Sequence, residues 1–515
     1  MPEQKKVYDY KPEIVERQIV GVLRKRNRES TVADVIASTG LPKYQIQEMM
    51  NLVVRDYAGH LRVTESGEVL YYFPDGLRNQ KKGLAAEFRK TVRRVLNITG
   101  KVLAFLFKIW IMVMLIGYFL LFIALLILAM LASIAGSANS RDSGRGRDRG
   151  GVGGIGGFFL TARVIELFAT LWLYSGTPAR GRADAFGRRP AKPRGRPLHQ
   201  SVFAFVFGEG NPLASWPERE KQEFVKFIQS EKGVISIEEL MHLTGKSRAD
   251  AENLMNEYLV EFEGEPDVTE SGTLIYRFPE LMRTKERSSE GTHFQREFMP
   301  LIPFNKNKGN VNRWVAFFNG FNLVFGGFFL YYSYAVTTLV PQHVLDRFYR
   351  FVLALAGLIS ATPHMLVAIA LGVVPVAFSF FFYGVPFVRR LSEKRRNESI
   401  KQQNLRKRTL ANVLAGPDAV DPEEIVPQLP EETPANWQAA VAMSIQDVAG
   451  ENSPEVDEKR PAADGKPAAY IYRLPELKRQ LSDLESYRKS VQLAQFDVGK
   501  TIFDSGSTGT TETAP

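Results

Sequence analysis

The chain has 515 residues, 45% of them hydrophobic, with a formal net charge of +10 at pH 7 and no cysteine. The length exceeds one compact core, so several domains are expected. The missing cysteine excludes disulfides, thiolate metal sites and cysteine nucleophiles and fits a reducing compartment. The positive charge points to an anionic partner, with membrane headgroups ahead of nucleic acid.

Residues 1–28 are polar and charged, without the apolar core or cleavage site of a signal peptide. Residues 8–76 read as three helices followed by a hairpin. Ile14, Ile19, Val22 and Leu23 form a helical stripe. Thr31 is placed to cap a short second helix that stops at Gly40, and Pro42 suits the first turn of a third. Two β-prone runs then flank Ser66-Gly67, which is turn chemistry. Three helices and a two-stranded hairpin describe a winged helix.

Residues 102–137 form the first expected transmembrane helix. Ile109 to Ala135 carries no charge and exceeds the roughly 20 apolar residues that cross a bilayer. A Gly/Arg-rich linker, 138–154, leads to 155–176, a candidate second transmembrane helix that contains Arg163 and Glu166. Their spacing of three puts them on one helix face, where they can pair inside the membrane. A basic linker, 177–200, follows. In the segment Ser201 to Pro212, Phe203, Phe205 and Phe207 alternate like a strand or a wedge on a membrane surface, before a Gly-Glu-Gly-Asn-Pro turn.

Residues 214–285 repeat the first domain. Thr31 aligns with Ser236 and Pro74 with Pro279, a constant offset of 205 residues without a gap. The hairpin Val63 to Gly67 recurs unchanged at Val268 to Gly272, and Tyr71, Phe73 and Pro74 recur as Tyr276, Phe278 and Pro279. Residues 313–340 form a third expected transmembrane helix, in which Asn319 and Asn322 share one face and can bond between helices. Residues 348–388 hold a short apolar helix and a fourth transmembrane helix. It contains Pro375, which is tolerated where neighbours satisfy the freed carbonyl.

Residues 400–477 read as a degenerate third winged helix, because Ile471 to Leu477 echoes Ile275 to Leu281. A charged helix is expected over 478–495 and a disordered tail over 496–515. The fold class is therefore mainly α with small β-hairpins: repeated winged-helix domains plus transmembrane helices.

Lys/Arg clusters flank the first expected membrane helix, the last one and the middle module, which puts all three soluble modules on the cytoplasmic side. That requires an even number of crossings before residue 214. Either 155–176 returns through the bilayer, or the first run folds back near Gly117. The expected location is a bacterial inner membrane, with anionic headgroups as lipid partners.

A winged helix reads DNA with its third helix in the major groove. Arg24, Lys25, Arg26, Arg28, Lys43, Arg55 and Arg62 of the first copy are candidate phosphate contacts, and Gln45, Gln47 and Asn51 candidate base contacts. The second copy argues the other way. Asp250, Glu252, Glu257, Glu261, Glu263, Glu265, Asp267 and Glu270 outweigh Lys246, Arg248 and Arg277, so phosphates would be repelled. An acidic winged helix suits protein partners, itself included.

No catalytic, cofactor or metal motif emerges. Gly245-Lys246-Ser247 and Gly499-Lys500-Thr501 end like phosphate loops, but Leu240 and Ala494 stand where the first glycine is needed. The six histidines lack metal-ligand spacing.

The segment Ser201 to Pro212, followed by Trp216 and a winged helix with a VTESG hairpin, resembles uncharacterised multi-pass membrane proteins of bacteria, cyanobacteria and plastids. That resemblance spans about half the chain and implies no activity. The expected function is a non-enzymatic membrane scaffold or regulator whose modules bind proteins or each other. The alternatives are a membrane-tethered transcriptional regulator using the first module and, behind it, a channel or transporter.

Overall fold

The computed structural model describes residues 10–25, 29–74, 77, 84–138, 196–285, 297–338, 346–416, 419–425, 434, 436–450, 454–461 and 469–506. The candidate helix 155–176, with Arg163 and Glu166, lies outside the described residues. So do Arg26, Arg28 and most of the two linkers. The chain divides into two compact units, one of residues 1–88, 211–302 and 395–515, the other of 89–210 and 303–394.

The first unit is built from three successions of similar elements. The first module has α1 (Pro12–Leu23), β1 (Glu29–Ser30), α2 (Val32–Thr39), α3 (Lys43–Asp56), β2 (His60–Thr64) and β3 (Val69–Tyr72). Thr31 and Asp34 form a reciprocal cap at the start of α2: Asp34 N–H donates to Thr31 Oγ1, and Thr31 N–H donates to Asp34 Oδ2. Gly40, at φ +70°, stops the helix in a left-handed turn that favours glycine.

α4, which spans both units, is taken with the second unit below, and so is α5 (Leu198–Phe207). The second module has α6 (Trp216–Ser230), β4 (Val234–Ile235), α7 (Ile237–Thr244), α8 (Arg248–Phe262), β5 (Glu265–Val268) and β6 (Leu274–Arg277). Ser236 and Glu239 repeat the cap, and Gly245 at φ +71° repeats the stop.

α9 to α11 likewise belong to the second unit. The third module takes its first helix from the end of α12 (Val374–Ala415), the same helix that begins in the second unit. It continues through β7 (Ala419–Val420), a 3-10 turn at Pro422–Ile425, α13 (Trp437–Ala449), β8 (Glu455–Arg460) and β9 (Ala469–Arg473). Each module has a small antiparallel sheet with the last strand in the middle, ordered β1-β3-β2, β4-β6-β5 and β7-β9-β8. One continuous core joins all three, through residues such as Ile19, Met50, Phe73, Phe224, Tyr258, Phe278, Leu410 and Ile445.

After β9, α14 (Pro475–Ser490) is followed by a final strand, β10 (Thr501–Asp504). This strand pairs antiparallel with β2 and corrects the expectation of disorder from residue 496 onward. The Gly/Ser/Thr-rich composition masked Ile502 and Phe503, which add to an open sheet edge. Residues 507–515 lie outside the described set.

The second unit holds α4 (Leu84–Ala138) from Arg89 on, α5, α9 (Gly309–Thr338), α10 (Arg347–Gly357), α11 (Pro363–Leu366), a π-helical stretch at Val367–Val373 and the first part of α12. Among the described residues three helical stretches are long and apolar enough to cross a membrane: Ile98–Ile134, Gly309–Tyr334 and Pro363–Ala415. α4 runs unbroken through Gly117, so the fold-back near that residue does not occur. Phe203, Phe205 and Phe207 sit on helix α5 rather than on a strand. The intervening Val202, Ala204 and Val206 are apolar as well, so no true alternation existed; Val202, Phe205 and Val206 are buried beside Ile111, Phe318 and Phe382.

Candidate functional site

The modules of the first unit meet at two joints that use matching positions. At the first joint the end of α2 rests on α6. The Gln222 side chain donates to the Ser38 carbonyl at 3.1 Å, and a Cβ on Gly40 would lie 3.0 Å from the Glu218 carbonyl oxygen. At the second joint the end of α7 rests on α12. A Cβ on Gly245, 205 residues after Gly40, would lie 2.6 Å from the Gln403 carbonyl oxygen. Both glycines therefore serve twice: they take the left-handed conformation, and they let the next module's first helix come close.

The start of each third helix touches the end of the next third helix. Lys43, the first residue of α3, pairs with Glu263 at 2.6 Å and Glu280 at 2.9 Å. Burial pulls the Lys43 amine down, but the two carboxylates outweigh it and hold the group above its usual value. Arg248, its equivalent on α8, donates its backbone N–H to Asp447 at 3.1 Å, and its guanidinium lies against Gly450. Ala58, Glu263 and Gly450, which follow the three third helices, all have a positive φ, of 50°, 53° and 64°.

The segment after each hairpin then reaches back to the preceding module. After β6, Arg283 pairs with Glu68 at 2.6 Å, and Lys285 N–H donates to Asp34 at 3.3 Å. After β9, α14 sends Asp483 to accept from Thr273 at 3.0 Å and Arg488 to bond both oxygens of Glu239. Glu68 and Thr273 are 205 residues apart, as are Asp34 and Glu239. Burial pushes the Glu239 carboxyl up, and the Arg488 guanidinium opposes that rise. Such a buried pair is costly to break on one side only.

These contacts engage part of the candidate DNA surface. Lys43 is held by its two glutamates. Arg62 pairs with Asp504 and Glu29 and stacks on Tyr72. Arg55 pairs with Asp56, and Gln45 donates to the Tyr44 hydroxyl. Gln47 lines a crevice with Lys43, Glu280 and Arg283. Among the described candidates, Lys43 and Arg62 are thus engaged by carboxylates, while Arg24, Lys25 and Asn51 stay exposed.

In the second unit Asn319 and Asn322 are fully buried on α9. Asn319 donates to the Ser379 carbonyl on α12 at 3.3 Å, and Asn322 to the Leu115 carbonyl on α4 at 2.7 Å. One helix is thereby fastened to two others by the interhelical bonds that apolar surroundings favour. The Tyr118 hydroxyl donates to the Ala370 carbonyl at 2.9 Å. Ala370 lies in the π stretch five positions before Pro375, whose ring nitrogen has no hydrogen to donate.

Several of these residues gave no warning in the sequence. Arg389 donates to the Ala204, Phe205 and Phe304 carbonyls, so it satisfies the C-terminal end of α5. Glu209, in the turn after α5, accepts from Arg196 and from Lys306 N–H at 3.0 Å. The Arg196 guanidinium holds its carboxyl below the usual range. In the first unit Asn404 and Asn397 each bond both backbone groups of one residue, Met299 and Ile302 respectively. Two asparagines seven apart on a helix were the available signal. Among the described residues no three His, Asp or Glu side chains gather where they could hold a metal ion.

No family model matches the chain, and no solved structure matches it. The chain is 25% identical over 426 residues to an uncharacterised chloroplastic protein of Arabidopsis thaliana, covering 80% of this chain and 74% of that one. An uncharacterised plastid-type protein is thus what it is similar to, and a membrane location fits the three long apolar helices among the described residues.

Proposed function

We propose that this protein is a non-enzymatic integral membrane scaffold whose three modules are winged helices that bind one another at the cytoplasmic face. The observation that carries this reading is the repeated joint. The start of the third helix, which a DNA-reading winged helix inserts in the major groove, is turned toward the next module at Lys43 and again at Arg248. Ion pairing of Lys43 and Arg62 to carboxylates supports the same reading, since those cations are not open to phosphates. The modules then form one stiff body on a membrane anchor, suited to presenting surface to proteins.

The test is electrophoretic binding of the detergent-solubilised full chain to mixed duplex DNA at low salt. The expected outcome is no retardation. A tight affinity that falls steeply with salt would overturn the scaffold and favour a membrane-tethered regulator.

A further inference from the structure

The joint between modules is heterologous: one face of a module meets a different face of the next. Such a contact, repeated along a chain, leaves one face of each kind open at the two ends. At the third module the open face is the crevice between the 3-10 turn, α13 and β9, lined by Glu423, Trp437, Gln438, Ala442, Tyr470 and Tyr472, with a volume of about 230 Å³. The corresponding crevice of the first module holds Glu280 and Arg283 from the second. At the second module, Ser247, Arg248 and Glu252 at the start of α8 line a crevice together with Arg406, Met443, Asp447 and Gly450 of the third. Among the described residues, the crevice of the third is lined by its own module alone.

The chemistry at both ends has changed together. Lys43 begins α3 and pairs its ammonium with Glu263 of the next module; Arg248 begins α8 and meets Asp447 of the next module through its backbone N–H, while its guanidinium pairs with Glu238 and Glu252 of its own module. The residue that begins α13 is Trp437. At the opposite end of the stack, the position matching Glu263 is Ala58, half-buried and likewise at a positive φ. A cation facing Ala58 would lose its partner, whereas an indole on a small apolar residue gains from burial. The two terminal faces are thus matched to each other as the internal faces are.

We infer that two copies of this chain associate head to tail, the aromatic crevice of the third module in one receiving the first module of the other at Ala58. This rests on the reading of the modules as mutually docking units. The contact continues the internal joint and would either close into a ring or extend along the membrane. Trp437 is the anchor, as buried tryptophans commonly are at interfaces.

The natural lack of cysteine allows a clean test. Full chains carrying Ala58→Cys and Gln438→Cys separately are mixed in liposomes and treated with a short bismaleimide. The expected product is a covalent dimer that neither variant gives alone. Adding Trp437→Ala to the Gln438→Cys chain should reduce it by about tenfold or more. Ser38→Cys with Gln222→Cys in one chain reports the internal joint in parallel. If that internal link forms while the mixed chains give no dimer, or Gln438→Cys chains link to themselves, head-to-tail association is wrong. Loss of the internal link itself would overturn both readings.

Discussion

Glu223 carries the clearest electrostatic cost in the first unit. It is buried on α6, and one carboxylate oxygen accepts from Glu297 N–H at 2.7 Å, while its Oε2 has no hydrogen-bond partner. Burial pushes its carboxyl up, and the Glu297 N–H and then the Lys407 ammonium only partly oppose that. A carboxyl raised in the folded state stabilises the fold most at low pH, and stability falls as pH rises through the raised value. Glu223→Gln keeps the accepting oxygen and removes the charge. Its thermal midpoint in micelles should exceed that of the parent at neutral pH, and the gap should close as pH falls through the raised value. A lower midpoint at neutral pH would mean that the Glu297 N–H bond and the Lys407 attraction to the charged carboxylate outweigh burial. None of this was legible from Glu223 in sequence, because its burial depends on a segment more than 70 residues away. Thr31, Gly40, Ser236 and Gly245 were legible, since caps and left-handed stops are local chemistry.

At the scale of elements, length and apolar content located α4, α9 and the α11–α12 stretch, because crossing a bilayer needs about 20 apolar residues in a row. Boundaries were harder to place. α12 is 42 residues long in all and ends in the third module, where charge alone suggested a break. The strand reading of α5 failed because a run of apolar residues shows no period, and β10 was missed because strand addition depends on a distant partner. Pairing of Asn319 and Asn322 between helices was foreseeable from their spacing, but their acceptors, the carbonyls of Ser379 and Leu115, were not. Asn322→Ala removes a bond in apolar surroundings and should cost about 0.6–2 kcal/mol, read as a lower unfolding midpoint in mixed micelles. An unchanged midpoint would mean that α9 and α4 hold together by packing alone.

Across the whole molecule, the duplication at an offset of 205 residues was plain in the sequence, and what it builds was not. Repetition predicts similar modules. It does not say that Lys43 and Arg248 face the next module instead of a ligand, because that choice lies in Glu263, Glu280 and Asp447, each outside the module it contacts. Part of the acidity of the second copy is balanced inside that module: Glu257 and Glu261 engage Lys221, and Glu220 engages Lys246. The most direct measurement is cross-linking of the Ser38→Cys, Gln222→Cys full chain in liposomes with a short bismaleimide, with linked peptides identified by mass spectrometry. Stacked modules predict that one intramolecular link dominates and resists dilution of the protein. Absence of that link, with both cysteines freely labelled, would contradict the stack.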